Sequence, residues 1–123
     1  MYADTDLWVA LLKDDDSLAE RAEEVLKEHG DELEVSLVTF VELFLVEERC
    51  SFERERAVTS ILELASFDGD ENVPYQASEY IDDGLNTFDA FHAALADDSI
   101  VSSDKAFEGI GVERLALEPD DQQ

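Results

Sequence analysis

The sequence predicts an α/β fold with a mostly parallel sheet, because short apolar runs alternate with longer segments of helical period, the pattern of strands joined by helical crossovers. Its 123 residues are the size of one ordinary domain. Of these, 36 are Leu, Ile, Val or Phe, well above the fraction of roughly 20% below which a strongly charged chain stays unfolded. Residues 1–118 are expected to form the single domain and 119–123 a short polar tail.

Met1 to Ala3 reads as a short first strand. Ser17 opens a helix, with Glu20 at capping-box spacing and Leu18, Ala22, Val25 and Leu26 on one face; Gly30 is placed to stop it. Glu34 to Val38 reads as a strand, followed by a helix whose broad stripe of Phe40, Val41, Phe44 and Leu45 suits a mostly buried position. A further helix is expected over Phe52 to Ala65, with Ala57, Val58, Ile61, Leu62 and Ala65 on its apolar face. Asp68 to Pro74, DGDENVP, is dense in turn formers and reads as a loop. Two helices follow, one carrying Ala77, Tyr80, Ile81 and Leu85, the other capped by Thr87 and carrying Phe88, Phe91, Ala94 and Leu95. Ile100 to Ser102 and Val112 to Leu117 complete the strands.

Charge limits the function classes. The chain has 33 Asp and Glu against 8 Lys and Arg, a formal net charge of -25, and in dilute buffer such a surface repels itself and any nucleic acid. At about 1 M ionic strength the Debye length falls to roughly 3 Å and that repulsion is screened. With only Lys13, Lys27 and Lys105 as lysines, the expectation is a chain from a salt-loving host, its acids spread over a solvated surface, the alternative being an acidic face that binds a basic partner. The basic stripe of an ordinary nucleic-acid binder is missing, and only scattered groups such as Lys13, Arg49, Arg54, Arg56 and Lys105 are present to meet phosphate. The single cysteine, Cys50, forms no intramolecular disulfide and has no second thiol for a metal clip or redox pair. MYADTDLW lacks a basic start, an apolar run and a cleavage site, and no apolar stretch approaches the roughly 18 residues of a membrane span, so a cytoplasmic protein without membrane contact is expected.

In open parallel sheets ligands bind outside the carboxyl ends of the strands, and that rule selects four acids. Asp4 follows the first strand, Glu42 falls in the opening turn of the helix after the second, Asp89 opens the helix leading to the next strand, and Asp104 follows that strand. Each has a structural reading. Thr39 and Glu42 have capping-box spacing, and Asp89 and Asp104 lie near helix starts, where a carboxylate complements the macrodipole. Grouped, four carboxylates about 6 Å apart at an effective dielectric near 20 repel by about 3 kcal/mol per pair, against a domain stability of about 5 to 15 kcal/mol. Convergence therefore requires protonation or a cation, and an all-oxygen site suits Mg²⁺ or Mn²⁺.

These residues resemble the PIN-domain ribonucleases, and among them the VapC-type toxins of toxin-antitoxin pairs. The first family acid lies in a strand-end D-T or D-S, here YADTD at Asp4, and the second in T-x-x-E-L, here TFVEL at Glu42. The third opens an alanine-rich helix, here FDAFHAAL at Asp89, and the fourth follows a strand, as in IVSSDKAF at Asp104. The resemblance covers nearly the whole chain. It implies a three-layer α/β/α sandwich, metal-dependent hydrolysis of RNA that leaves a 5′-phosphate, frequent homodimers, and a small antitoxin protein that blocks the site. It also implies that Asp4, Glu42, Asp89 and Asp104 are both catalytic and metal-binding, with Thr5 and Ser102 as supporting hydroxyls. Ser102 stands where threonine is commoner. His92, three residues after Asp89, and His29, near the end of its helix, read as packing or capping groups.

Two other readings stay open. Asp4-Thr5-Asp6 is similar to the D-x-D of haloacid-dehalogenase-like phosphotransferases, with Asp4 as nucleophile and Asp6 as acid/base, although the chain is short and Trp8 stands where those enzymes have threonine. A response-regulator receiver needs an acid ending a middle strand, which Glu34 to Val38 lacks. A PIN-like module that only scaffolds partners is the second, although retention of all four acids argues against it. Followed by circular dichroism against potassium chloride, the chain is expected to gain its structure as salt rises toward molar levels. Full structure at millimolar salt, unchanged at molar salt, contradicts the salt-loving reading.

Overall fold

Every strand pairing among the described residues is parallel. The computed structural model describes residues 1–13, 18–96 and 99–119. They divide into two units, Met1–Tyr75 and Gln76–Gln123, each with one two-stranded sheet.

In the first unit, β1 (Glu34–Val35) pairs with β2 (Ser66–Phe67) on one side. On the other it meets the N-terminal segment, where Tyr2 forms a single bridge with Glu34, flanked by Ala3 N–H to Glu34 O (3.0 Å) and Glu34 N–H to Met1 O (2.9 Å). The expected first strand is thus reduced to one bridge. The strand expected over Glu34 to Val38 stops at Val35 because Ser36 caps α3 (Leu37–Leu45): its side chain accepts from the Thr39 N–H, and the Thr39 hydroxyl accepts from the Ser36 N–H. β2 is too short for any two-residue period to reveal it.

Helix α1 (Thr5–Lys13) also has no readable period, since its Leu7 to Leu12 run is apolar on all sides and such a run is ambiguous by pattern alone. In α2 (Ala19–His29), Ala19 and Ala22 are buried, while Leu18, just before it, is exposed. The capping residue expected there, Ser17, lies outside the described residues. Gly30 ends α2 as expected, but with ordinary right-handed angles that lead into a 3-10 turn, Gly30–Glu32. After α3 come α4 (Glu47–Cys50), closed by Ser51 in the left-handed region at φ 52°, and α5 (Arg54–Leu64). The expected stripe of α5 buries Ala57, Val58 and Ile61.

The core of this unit is built from Trp8, Leu33, Val35, Phe40, Leu43, Phe44, Val58 and Ile61. Phe40, fully buried, meets Phe67 edge to face with ring centroids 5.4 Å apart. Gly69 packs so closely on the Phe67 ring that a Cβ there would lie 2.8 Å from it.

Helix α6 (Asn72–Asp82) begins inside the segment expected as a loop, which shrinks to 68–71. Its start is held by Asp70, whose carboxylate accepts from the Asn72 N–H at 2.9 Å, and Pro74 is tolerated because the first helical turn has no donors to lose. The helix starts in the first unit and ends in the second.

In the second unit, α7 (Thr87–Leu95) is capped by Asn86, so Thr87 is its first helical residue rather than its cap. Phe91 and Ala94 are buried as expected, together with Ala90 and Ala93, whereas Phe88 and Leu95 are exposed. β3 (Ser99–Ser102) and β4 (Glu113–Ala116) pair from Ser99↔Glu113 to Ser102↔Ala116. Segment 103–112 makes this parallel return through the 3-10 turn Lys105–Phe107 and Gly109 and Gly111, both at positive φ. Arg114, its side chain 8% exposed, fastens the sheet: Nη1 donates to Ser102 O (2.7 Å) and Glu118 Oε1 (2.9 Å), and Nη2 to Glu108 Oε1 (2.8 Å). Hydrogen bonding to Arg114 holds the Glu118 carboxyl down at about 2. No helix among the described residues is long and apolar enough to cross a membrane.

Two outcomes follow from this packing. Phe40→Ala, which empties a fully buried site and removes the ring contact, should lower unfolding free energy by about 3 to 5 kcal/mol in a chemical-denaturation series. Glu118 takes its proton near pH 4.5 when unfolded and near 2 when folded, so its contribution is complete above about 4.5 and is lost as pH falls toward 2. Protonation of the many other acids acts in parallel, so the measurement is a difference: between pH 5 and pH 3, Glu118→Gln should lose less stability than the parent.

Candidate active site

The bridge at Tyr2 fixes where the chain leaves the sheet, and Asp4 follows two residues later, just after the Ala3 N–H bond to Glu34 O. Asp4 Oδ1 accepts from the Thr5 N–H at 2.7 Å and the Asp4 carbonyl accepts from Leu7 N–H, so Asp4 is tied to the first turn of α1. Thr5, the first residue of that helix, is buried, and its hydroxyl donates to Glu42 Oε1 at 2.9 Å. Asp4, Thr5 and Glu42 are thereby joined, Asp4 through a backbone amide and Glu42 through a side-chain hydroxyl.

Glu42 does not lie in the opening turn of its helix. α3 starts at Leu37, five residues earlier, and the capping box belongs to Ser36 and Thr39. The spacing Thr39-x-x-Glu42 therefore carries no cap, and the Glu42 side chain is turned to Thr5 instead. Thr39 is further tied to the N-terminal segment by the Tyr2 hydroxyl, 3.2 Å from its own, while Tyr2 also reaches Ser36 Oγ at 2.8 Å.

Asp4, Thr5 and Glu42 line one open cleft of about 480 Å³, together with Asp6, Val9, Lys13, Val46, Arg49 and Cys50. The sequence singled out Asp6, Lys13 and Arg49 without placing them here. Cys50, read as an inert thiol, forms part of the wall because α4 turns back beside α1, a contact that no local pattern encodes.

Asp89 and Asp104 belong to the second unit, and each has a capping role. Asp89 is the third residue of α7. Its N–H donates to Asn86 Oδ1 (2.9 Å) and its Oδ2 accepts from Asn86 Nδ2 (3.0 Å), a reciprocal cap. Asp104 precedes the 3-10 turn, its Oδ1 accepting from Ala106 N–H at 2.8 Å, and its own N–H donates to Ser102 Oγ at 2.9 Å. Ser102 thus supports the backbone of Asp104, much as Thr5 supports the carboxylate of Glu42. Each recorded cap bond to a carboxylate uses one of its two oxygens. His92 is exposed on α7, and His29 stands 3.8 Å from both Glu28 and Glu32.

Among the described residues no group of three Asp, Glu, His or Cys side chains gathers as a metal cluster. The donor chemistry of the cleft nonetheless fits a divalent ion: Asp4 and Glu42 offer hard carboxylate oxygens, and Mg²⁺ is commonly held by one or two carboxylates with water and phosphate filling its other positions.

The family model described as PIN domain matches residues 1–112, a span that contains Asp4, Glu42, Asp89 and Asp104. No curated protein and no solved structure matches the chain.

Proposed function

The chain belongs to the PIN domain family, whose members are typically metal-dependent nucleases acting on RNA, and on that premise we propose that it is an endoribonuclease dependent on Mg²⁺ or Mn²⁺. The observation that carries this reading is the hydrogen-bonded set of Asp4, Thr5 and Glu42 on the wall of one polar cleft. Asp4 and Glu42 are the residues of this cleft that would hold the ion. Asp89 and Asp104 enter through their motifs, FDAFHAAL and the aspartate after IVSS.

A divalent ion bound by these acids supplies Lewis acidity and neutralises charge developing on the phosphodiester during hydrolysis. The chain's own groups do the positioning. The Thr5 hydroxyl fixes one oxygen of Glu42 and with it the direction of the other, while the amide of Thr5 does the same for Asp4. Because Thr5 is buried, neither partner exchanges it readily for water, so the two carboxylates keep their orientation before metal and substrate arrive.

The finer reading is that of a toxin in a toxin-antitoxin pair, cytoplasmic, dimeric and from a salt-loving host. The antitoxin would lay an apolar helix over the Phe40 to Leu45 or Phe52 to Leu64 region. Phe40 and Phe44 are themselves buried there, so the apolar contacts on offer are Val38, 60% exposed, Leu45, 50% exposed, and Leu64. A small open reading frame beside this one, whose product co-purifies with the chain and suppresses its activity, supports that role.

Cleavage of RNA in molar potassium chloride with Mn²⁺ or Mg²⁺ tests the reading. Asp4→Asn and Asp104→Asn should each abolish it, and Thr5→Ala should lower it about 10- to 100-fold, the effect of removing a group that orients a metal ligand. Function that survives both aspartate changes assigns the chain instead to a scaffold, and an acid-labile phosphoenzyme at Asp4 assigns it to phosphotransfer.

A further inference from the structure

We propose that Arg49, on the wall of the cleft that holds Asp4 and Glu42, binds a backbone phosphate of single-stranded RNA; the assignment rests on the nuclease reading above. In a chain with 33 acidic and 8 basic side chains, a cation finds a carboxylate partner easily. Four of the five arginines have one: Arg21 pairs with Glu24, Arg54 with Glu47, Arg56 with Glu53, and Arg114 with Glu108 and Glu118. Arg49 makes no ion pair among the described residues, although it lines a cleft with Asp4, Asp6 and Glu42 and follows Glu47 and Glu48 in α4. Glu47 is turned to Arg54 instead.

An exposed guanidinium left unneutralised beside three carboxylates is placed for an anion that comes from outside. Its planar fork matches the two oxygens of a phosphodiester. Lys13, the other cation of the wall, already has an interaction of its own. Arg49 thus supplies the attraction for phosphate that the acidic walls lack, and it does so where substrate must lie to reach Asp4 and Glu42.

The test separates binding from cleavage. Anisotropy of a short fluorescein-labelled single-stranded RNA is followed on an Asp4→Asn background, which does not cut the probe, over the potassium chloride range in which circular dichroism shows each protein folded. Arg49→Gln should weaken binding about tenfold, the scale of one charge-assisted hydrogen bond. It should also reduce the slope of log affinity against log salt by about 0.7, the loss of one phosphate contact to a single strand. Arg49→Lys, which keeps the charge without the fork, should retain the slope with intermediate affinity. Equal affinity and slope with and without Arg49, in a chain whose unmutated form cleaves RNA, overturn this assignment alone. No RNA binding by the Asp4→Asn parent overturns it too, and an unmutated chain that does not cleave RNA overturns the nuclease reading together with it.

Discussion

Two backbone hydrogen bonds, Ala3 N–H to Glu34 O and Glu34 N–H to Met1 O, determine the geometry of the first unit. They hold the N-terminal segment against β1 for one residue pair, just long enough to aim the chain, and α1 begins immediately afterwards. Asp4 is therefore anchored from behind by the sheet and from ahead by a helix. Tyr2 ties the same segment to the cap of α3 through Ser36 and Thr39, so the helix that carries Glu42 is indexed to the segment that leads into Asp4. The Thr5 to Glu42 hydrogen bond is the outcome of that indexing.

In a chain already crowded with negative charge, each of these four acids is held by a local hydrogen bond within its own unit. Local hydrogen bonds occupy the carboxylate oxygens that would otherwise only repel: Asp4 takes an amide, Glu42 a hydroxyl, Asp89 the Asn86 side chain, and Asp104 an amide. A cap and a metal ligand are compatible duties for one carboxylate, since the recorded cap bond of each takes one oxygen.

The α/β class was legible in the sequence because the stripes of α3, α5 and α7 alternate with strand-like runs, and the ordered motifs identified the family. What escaped reading did so for physical reasons. α1 is apolar all round, which erases its period, and β2 is two residues long. Overlapping spacings misplaced the cap of α3, where Ser36-x-x-Thr39 and Thr39-x-x-Glu42 both fit and only the backbone selects between them. The cap of α7 was placed one residue late, at Thr87 instead of Asn86, because both residue types suit a helix start. Asp4 was singled out by its position after the first strand-like run and Thr5 by the family resemblance, but that Arg49 and Cys50 line the same cleft depends on the placement of α4 beside α1, which is a property of the packed chain.

Gly69 shows how far the acidic composition can spread. In the loop at 68–71 it is flanked by Asp68, Asp70 and Glu71, yet the Phe67 ring lies against it and is itself braced by Phe40. A Cβ at this position would meet the far edge of that ring, so a side chain there requires the Phe67 ring to shift against Phe40. At this loop position the surface chemistry is therefore coupled to the packing of an aromatic pair beneath it.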